Sequence, residues 1–252
     1  SPSGFLKEAH AKLKPVDTPT KGVFIAGAAE SPKDVRESVT QASAAASHTS
    51  ILLSKSNLSV EAITAVVDED LCKKCGLCAP VCPFSAMTWE KKQVARVTSA
   101  ACTGCGTCAA ECKFDAINMR HFSDQAIYAQ IDAMLEDELM DKVVTFACNW
   151  CSYAGADTAG VSRMAYPPNA RIIRTMCSGR VSPEHVWYAF RKGAPVVLVS
   201  GCHYVDCHYI DANRSTMRRL DGLWDGLEKA NIRPDRLQLE WCSAAEGARW
   251  QT

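Results

Sequence analysis

The sequence predicts a multidomain chain of mixed α/β and α+β class. Residues 58–122 hold two cysteine-dense repeats flanked by short strand-like segments, which indicates a small α+β domain. Residues 141–252 alternate strand-like and helix-like segments, which indicates an α/β domain. Residues 1–57 lack cysteine, and residues 123–140 have the apolar spacing of a connecting helix. A chain of 252 residues has room for these parts.

Composition argues against several classes of function. The chain has 28 basic and 28 acidic residues and no charged block, which argues against nucleic acid and membrane surfaces as partners. The longest apolar stretch, residues 194–201, is far shorter than the roughly 20 residues of a membrane span. Residues 1–15 lack the apolar region of a signal peptide. We therefore expect a cytoplasmic protein.

Cysteine is the unusual component, with fourteen in the chain. A disulfide scaffold is typical of short secreted chains, so we expect these thiols to be reduced. Clustered reduced thiols indicate metal or redox chemistry.

Both cysteine repeats have the spacing C-x2-C-x2-C-x3-C. The short gaps wrap three thiolates around one cubane, and in two-cluster ferredoxins the fourth cysteine binds the other cluster. Two [4Fe–4S] clusters are therefore predicted. The first is assigned to Cys72, Cys75, Cys78 and Cys112, and the second to Cys102, Cys105, Cys108 and Cys82. Two zinc sites fit less well, because zinc ligands usually come as two separated pairs.

Short strands are predicted on both sides of the cysteine loops, in the βαββαβ order of a ferredoxin. They cover residues 62–67, 86–89 and 116–119. Gly76, Gly104 and Gly106 are expected to let the loops turn tightly.

The C-terminal zone predicts a parallel sheet with helices on both faces. Its strands are predicted at residues 142–147, 170–176, 194–200 and 235–241. One helix is predicted over residues 182–193, with Ser182 as N-cap, Pro183 at the first position and Gly193 at the end. A longer helix is predicted over residues 211–231.

Five further cysteines lie near the predicted carboxyl ends of these strands, where open parallel sheets bind ligands. They are Cys148, Cys151, Cys177, Cys202 and Cys207. We favour a [2Fe–2S] cluster held by four of them. Three alternatives stay open: a thioredoxin-type pair of Cys148 and Cys151, a Rieske-type site with His203 or His208, and a zinc site. Cys242 is interpreted as a buried apolar residue.

Residues 21–53 predict one strand, a turn and one long helix. Ser31, Pro32 and Asp34 form a helix start close to a capping box. Because one strand and one helix cannot bury a core, this zone is expected to dock on another polypeptide or to end a longer one.

The segment TPTKGVFIAGAAE, residues 18–30, resembles the closing segment of FAD-containing pyridine nucleotide–disulfide oxidoreductases. In that family a Gly-Asp pair contacts the ribityl–phosphate arm of the flavin, and the next helix passes the isoalloxazine ring. Gly27 matches the glycine and Ala28 replaces the aspartate, whereas Gln41 and Ala42 match helix positions near the flavin.

Two larger resemblances follow. With its ferredoxin motifs, the stretch 1–122 resembles the C-terminal end of the heterodisulfide reductase A-subunit, which implies that Lys33 lies near the flavin ring. Through CNWCSYAGADTAG, GCHYVDCHY and EWCSAAEG, residues 141–252 resemble the delta subunit of methyl-viologen-reducing hydrogenase. That family carries a [2Fe–2S] cluster and links an electron-donating enzyme to the flavin subunit. The fusion is also similar to the larger subunit of quinone-interacting oxidoreductases of sulfate reducers.

These resemblances imply an electron-transfer component of an oxidoreductase complex. The expected cofactors are two [4Fe–4S] clusters, one [2Fe–2S] cluster, and FAD shared with another chain or a preceding part. The expected partners are heterodisulfide-reductase-type subunits with the flavin domain and a hydrogenase or formate dehydrogenase as donor. The flavin is expected to bifurcate electron pairs in an anaerobic, methanogenic metabolism. A thiol–disulfide oxidoreductase and a relay in a quinone-interacting complex are the alternatives.

Overall fold

The computed structural model describes residues 4–9, 14–20, 22–57, 62–136 and 141–251. They fall into two compact units that divide between residues 60 and 61. The ends of two predicted zones, residues 58–61 and 137–140, lie outside the described residues.

The N-terminal unit is built around helix α1, Val35–Leu53. Asp34 caps it, since its carboxylate accepts a hydrogen bond from the Glu37 N–H at 2.7 Å and Glu37 completes the capping box. The predicted start at Ser31 was therefore three residues early. The predicted strand is wrong: before the helix there is an isolated antiparallel bridge between Asp17 and Phe24. A strand needs a neighbouring ladder, and the described residues of this unit supply none.

The second unit begins with two small antiparallel ladders. Their strands are β1 (Ala65–Val67), β2 (Met87–Thr88), β3 (Arg96–Val97) and β4 (Ile117–Met119). Strand β1 pairs with β4, and β2 pairs with β3. The first helix of the predicted βαββαβ order is replaced by turns, and the second is the single turn α2 (Thr107–Ala110). Pro80 stands in the first loop where Ala110 stands in the second, and it has no N–H to match the Ala110 N–H that donates to the Gly106 carbonyl at 3.2 Å.

The predicted connecting helix is α3, Asp124–Met134, which is shorter than the predicted span. Ser123 caps it by accepting a hydrogen bond from the Ala126 N–H at 3.1 Å. Ile127 and Ile131 are buried in the core of the C-terminal sheet. The helix is therefore packed on that sheet through its apolar side.

The C-terminal part contains a four-stranded parallel sheet in the order β6–β5–β7–β8. Its elements are β5 (Val143–Cys148), α4 (Ser152–Val161), β6 (Ala170–Thr175), α5 (Pro183–Arg191), β7 (Val196–Gly201), α6 (Ala212–Lys229) and β8 (Leu237–Trp241). Val144 and Phe146 on one face of β5 pack in the main core with residues of α3, α5 and α6. On the other face, Ser152 of α4 hydrogen-bonds Ser200 at 2.7 Å. The parallel sheet is confirmed.

Helix α5 begins and ends as predicted. Ser182 accepts a hydrogen bond from the His185 N–H at 3.2 Å, Pro183 occupies the first helical position, and Gly193 has a φ of 93° beyond the end. No helix within the described ranges combines the length and apolar character that crossing a bilayer requires.

Candidate metal centres

The two cysteine repeats surround two small cavities. The first cavity is lined by Cys72, Cys75, Cys78 and Cys112. The second is lined by Cys82, Cys102, Cys105 and Cys108. Each set takes three thiols from one repeat and the last thiol of the other, which is the grouping expected from the spacing. Ligation by these thiols stays a prediction.

Burial controls the ionisation of the most enclosed thiols in these sets. It raises the pKa of Cys78 and of Cys105 to about 11, and it raises the pKa of Cys108 well above the ordinary value. The neighbouring thiols of each set raise these pKa values further, because adjacent thiolates repel. A bound metal has the opposite effect, since a coordinating thiol is deprotonated. Both sets therefore suit a positively charged occupant.

The walls of the second cavity are consistent with an iron–sulfur cluster. Phe84, Met87 and Val97 provide an apolar lining. The Thr103 hydroxyl also lines the cavity and, within the described part of the chain, has no hydrogen-bond partner. Soft thiols favour iron–sulfur clusters over hard cations, and hydrogen bonds to cluster sulfur tune the potential. Across the residues described, no three His, Cys, Asp or Glu side chains meet in the arrangement that binds one metal ion.

The five remaining predicted thiols converge at the carboxyl edge of the parallel sheet. Cys148 is the last residue of β5, Cys177 lies just beyond β6, and Cys202 follows β7 directly. Because the strands are parallel and in register, these ends lie side by side. The sulfur atoms of Cys148 and Cys202 are 3.6 Å apart.

The ionisation of four of these thiols is linked in a closed ring in which each interacts with two others, in the order Cys148, Cys177, Cys207, Cys202. Cys151 joins this ring through Cys202. Hydrogen bonds from neighbouring thiols lower the pKa of Cys148 and Cys207, and the same contacts raise the pKa of Cys177 and Cys202. The direction of the pKa shift therefore alternates around the ring.

The two histidines of this region make contacts of their own. His203 Nε2 lies 2.7 Å from the Glu246 carboxylate. The His208 ring stacks on Trp150 with centroids 3.7 Å apart. These contacts give no support to a Rieske-type site. Cys242 is buried beyond β8, and its thiol donates to the Ser243 carbonyl at 3.4 Å.

Sequence reasoning missed Tyr209, which links two of the thiol sets. Its buried ring shares one apolar cluster with Cys105 of the second ferredoxin set and Cys177 of the ring. Its hydroxyl accepts a hydrogen bond from Trp150 Nε1 at 2.9 Å. An aromatic residue two positions after Cys207 was the available signal, but its partners are distant in sequence.

In the N-terminal unit, three of the predicted flavin-binding residues meet through Glu30. Gln41 accepts a hydrogen bond from the Gly27 N–H at 2.8 Å and donates to the Glu30 carboxylate at 2.6 Å. Lys33 pairs with the same carboxylate at 3.1 Å. The hydrogen bond from Gln41, followed by the contact with Lys33, lowers the pKa of Glu30. Sequence reasoning missed Glu30.

The other two predicted flavin contacts, Ala28 and Ala42, are exposed. Flavin binding at these five positions stays a prediction.

All-thiol sites beside ferredoxin-like ladders and at the edge of a parallel sheet are features of iron–sulfur proteins. Residues 65–119 match the 4Fe-4S dicluster domain family. Residues 143–252 match the family described as methyl-viologen-reducing hydrogenase, delta subunit.

Curated relatives agree with both matches. The A-subunit of the ferredoxin:CoB-CoM heterodisulfide reductase of Methanosarcina mazei is 46% identical over 250 residues, which is 99% of this chain and 31% of the relative. The A-subunit of the H(2):CoB-CoM heterodisulfide,ferredoxin reductase of Methanothermobacter marburgensis is 50% identical over 137 residues, 54% of this chain and 21% of the relative. The iron-sulfur D-subunit of the F420-non-reducing hydrogenase vhc of Methanococcus voltae is 52% identical over 110 residues, 44% of this chain and 76% of the relative.

Residues 143–252 belong to the hydrogenase delta-subunit family, and over 99% of its length the chain is similar to the C-terminal region of heterodisulfide reductase A-subunits. The predicted fusion is confirmed. The chain spans 31% of the length of the Methanosarcina mazei relative.

Proposed function

We propose that this chain is an electron relay of a heterodisulfide-reductase-type complex, with two [4Fe–4S] clusters and one [2Fe–2S] cluster. The observation that carries the proposal is the grouping of three all-thiol sites within one compact unit. Iron–sulfur clusters supply one-electron transfer when bound.

The residues of the chain have distinct parts in this proposal. Each ferredoxin quartet holds one cubane, and the four ring thiols hold the two-iron cluster. Cys151, which joins the ring through Cys202, is the thiol left over. Spacing alone left the odd thiol among the five undecided.

Packing supports an order for the three sites. The apolar cluster around Tyr209 contains thiols of the ring and of the second ferredoxin set. A second cluster contains Cys78 of the first set together with Cys108 of the second. The second set is therefore the middle of the relay, with the ring on one side and the first set on the other. Its apolar surroundings exclude water from the contacts.

The flavin and the partners complete the proposal. Gly27, Ala28, Lys33, Gln41 and Ala42 are proposed to contact an FAD held mostly by another chain or by the part of the relatives beyond the matched third. The relatives' names suggest a hydrogenase, ferredoxin and the CoB-CoM heterodisulfide as reaction partners. A formate dehydrogenase is a second candidate donor. Bifurcation at the flavin, in a methanogenic setting, is part of the same proposal.

The test is anaerobic purification followed by iron analysis and EPR of the reduced chain. We expect roughly ten iron atoms per chain, from two cubanes and one two-iron cluster. Cys177→Ser should lose the two-iron signal, whereas Cys151→Ser should keep it. An iron content near zero in the unmodified chain contradicts the proposal.

A thiol–disulfide oxidoreductase that uses Cys148 and Cys151 has less support. Cys148 is 0% exposed, and its thiol contacts Cys177 and Cys202. A catalytic thiol has to reach its disulfide substrate. Dithiol reductase activity in an iron-free chain would favour this alternative.

A further inference from the structure

A short turn lies between the thiol ring and the second ferredoxin set. This turn, Ser178–Arg180, is a 3-10 helix that follows Cys177 directly, and all three of its residues are buried. Two buried arginines meet there, Arg180 of the turn itself and Arg219 of α6. The position of Cys177 therefore depends on what holds this turn.

Arg180 links the turn to the exit of the ferredoxin-like part. Its side chain is 1% exposed. Its Nε and Nη2 donate to the Phe122 carbonyl at 3.2 and 3.1 Å, and Nη2 also donates to the Asp124 carboxylate at 2.7 Å. Asp124 opens α3, immediately after the last ferredoxin strand and its turn. One side chain therefore joins the two thiol-bearing parts.

Arg219 links the same turn to the second cysteine repeat. Its Nη1 donates to the Glu111 carboxylate at 2.7 Å, and its Nη2 donates to the Gly179 carbonyl at 2.7 Å. Glu111 lies between two cysteines of that repeat, Cys108 and Cys112. The guanidinium therefore bridges the turn and the repeat with one hydrogen bond to each.

The two backbones approach too closely for an added methyl group. A Cβ at Gly106 would lie 2.4 Å from Cδ of Arg180, and a Cβ at Gly179 would lie 2.5 Å from the Thr107 hydroxyl. Gly106 and Thr107 lie between Cys105 and Cys108 of the second set. Direct packing of the turn on this loop leaves little room for sliding.

The two ion pairs are poorly explained by stability alone. Within the described ranges, Arg180 Nη1 and Arg219 Nε are buried without a hydrogen-bond partner. A buried ion pair that leaves donors unsatisfied is weak evidence for stability, whereas fixing one register is the best-attested use of such a pair. Arg219 matches that use, because it joins the ring side to the Glu111 carboxylate of the ferredoxin side. Arg180 ties the same turn to Phe122 and Asp124, where the ferredoxin-like part ends and α3 begins.

We propose that Arg180 and Arg219 are positioning residues that hold Cys177 at a fixed spacing from the second ferredoxin thiol set. This inference rests on the proposed function, since the spacing matters for electron transfer between the two centres. Loss of either pair should let the turn move while the thiols of both sets stay in place within their own loops.

The test uses the full chain, purified anaerobically with its iron. Arg219→Met and Glu111→Gln break the same ion pair from either side, and Arg180→Lys keeps the charge but loses the planar fork. Arg218→Met is the matched control, because Arg218 is exposed on the same helix and hydrogen-bonds Ser215 of that helix. The readout is the spin–spin broadening between the reduced two-iron signal and the ferredoxin signals, measured by EPR beside the iron content.

We expect the broadening to be lost in the three test variants and kept in the control, with the iron content unchanged in all. Broadening equal in all proteins, or absent from the unmodified chain, overturns the positioning role and leaves the proposed function standing. Iron lost from the ring in the test variants also overturns it, because the pairs would then be needed to form the site. An unmodified chain without any iron signal overturns the proposed function and this inference together.

Discussion

Asp124 provides the sharpest test of what holds the Ser178–Arg180 turn in place. Its Oδ1 accepts hydrogen bonds from Arg180 Nη2 and from His185 Nε2, both at 2.7 Å. The Ser182 N–H donates to His185 Nδ1, so the ring proton lies on Nε2 and points at the carboxylate. Burial alone would raise the pKa of Asp124, but the hydrogen bond from His185 and the charge of Arg180 together bring it below the ordinary value.

Asp124→Asn removes the charge that balances a nearly inaccessible guanidinium. Removing one partner of a buried pair costs about 3–5 kcal/mol. The Asp124 side chain is 17% exposed and the amide retains one acceptor oxygen, so we expect the lower end, about 3 kcal/mol. Asp132→Asn is the control on the same helix. Asp132 pairs with Lys192 at a site where both side chains are 45% exposed, so Asp132→Asn should destabilise the chain clearly less than Asp124→Asn does.

Urea unfolding of the full chain at matched iron content measures both variants. Trp187 and Trp224 pack against the sheet core and report on its unfolding. The midpoint shift at constant slope gives the change in the free energy of unfolding. If Asp124→Asn destabilises the chain no more than Asp132→Asn does, the pair with Arg180 is not the buried contact that its geometry indicates.

Three further outcomes follow from the structure. Burial lowers the pKa of His185 below its ordinary value of 6.5, so below that pH the unfolded state binds more protons than the folded state. The free energy of unfolding should therefore fall as the pH drops below 6.5. Urea midpoints between about pH 5 and pH 8 should show this slope, and His185→Gln should flatten it. Gly106→Ala should destabilise the chain by about 1–2 kcal/mol because of its φ of 80°, and by more because of the clash with Arg180. Gly160→Ala in α4 meets nothing within 4 Å and should stabilise the chain by about 0.4–1 kcal/mol. Thermal unfolding should show a lower midpoint for Gly106→Ala and a higher midpoint for Gly160→Ala. Midpoint shifts in the same direction would contradict this prediction. Cys242→Ser should leave the iron content unchanged, because this thiol hydrogen-bonds the backbone beyond β8, and a loss of iron would show that it belongs to the ring.

Local spacing predicted the grouping of the ferredoxin thiols around their two cavities. Gaps of two residues keep three thiols on one tight loop, and the crossed fourth thiol follows from the pairing of two such loops. Strand–helix alternation predicted the parallel sheet and the convergence of three strand ends at one edge. The strand before α1 could not be predicted correctly, because its apolar residues fit a strand but the described residues of that unit supply no ladder.

Amino-acid order alone determined the two cysteine loops, the parallel sheet and the edge where five thiols collect. Only the tertiary structure decided which four of those thiols close a ring and that Cys151 joins it through Cys202. It also decided that Arg180 packs on Gly106, although the two residues are 74 positions apart in the sequence. Local patterns follow from the period of a helix, a strand or a tight loop. Contacts between residues that are distant in the sequence follow from how whole surfaces pack, which depends on many neighbours at once.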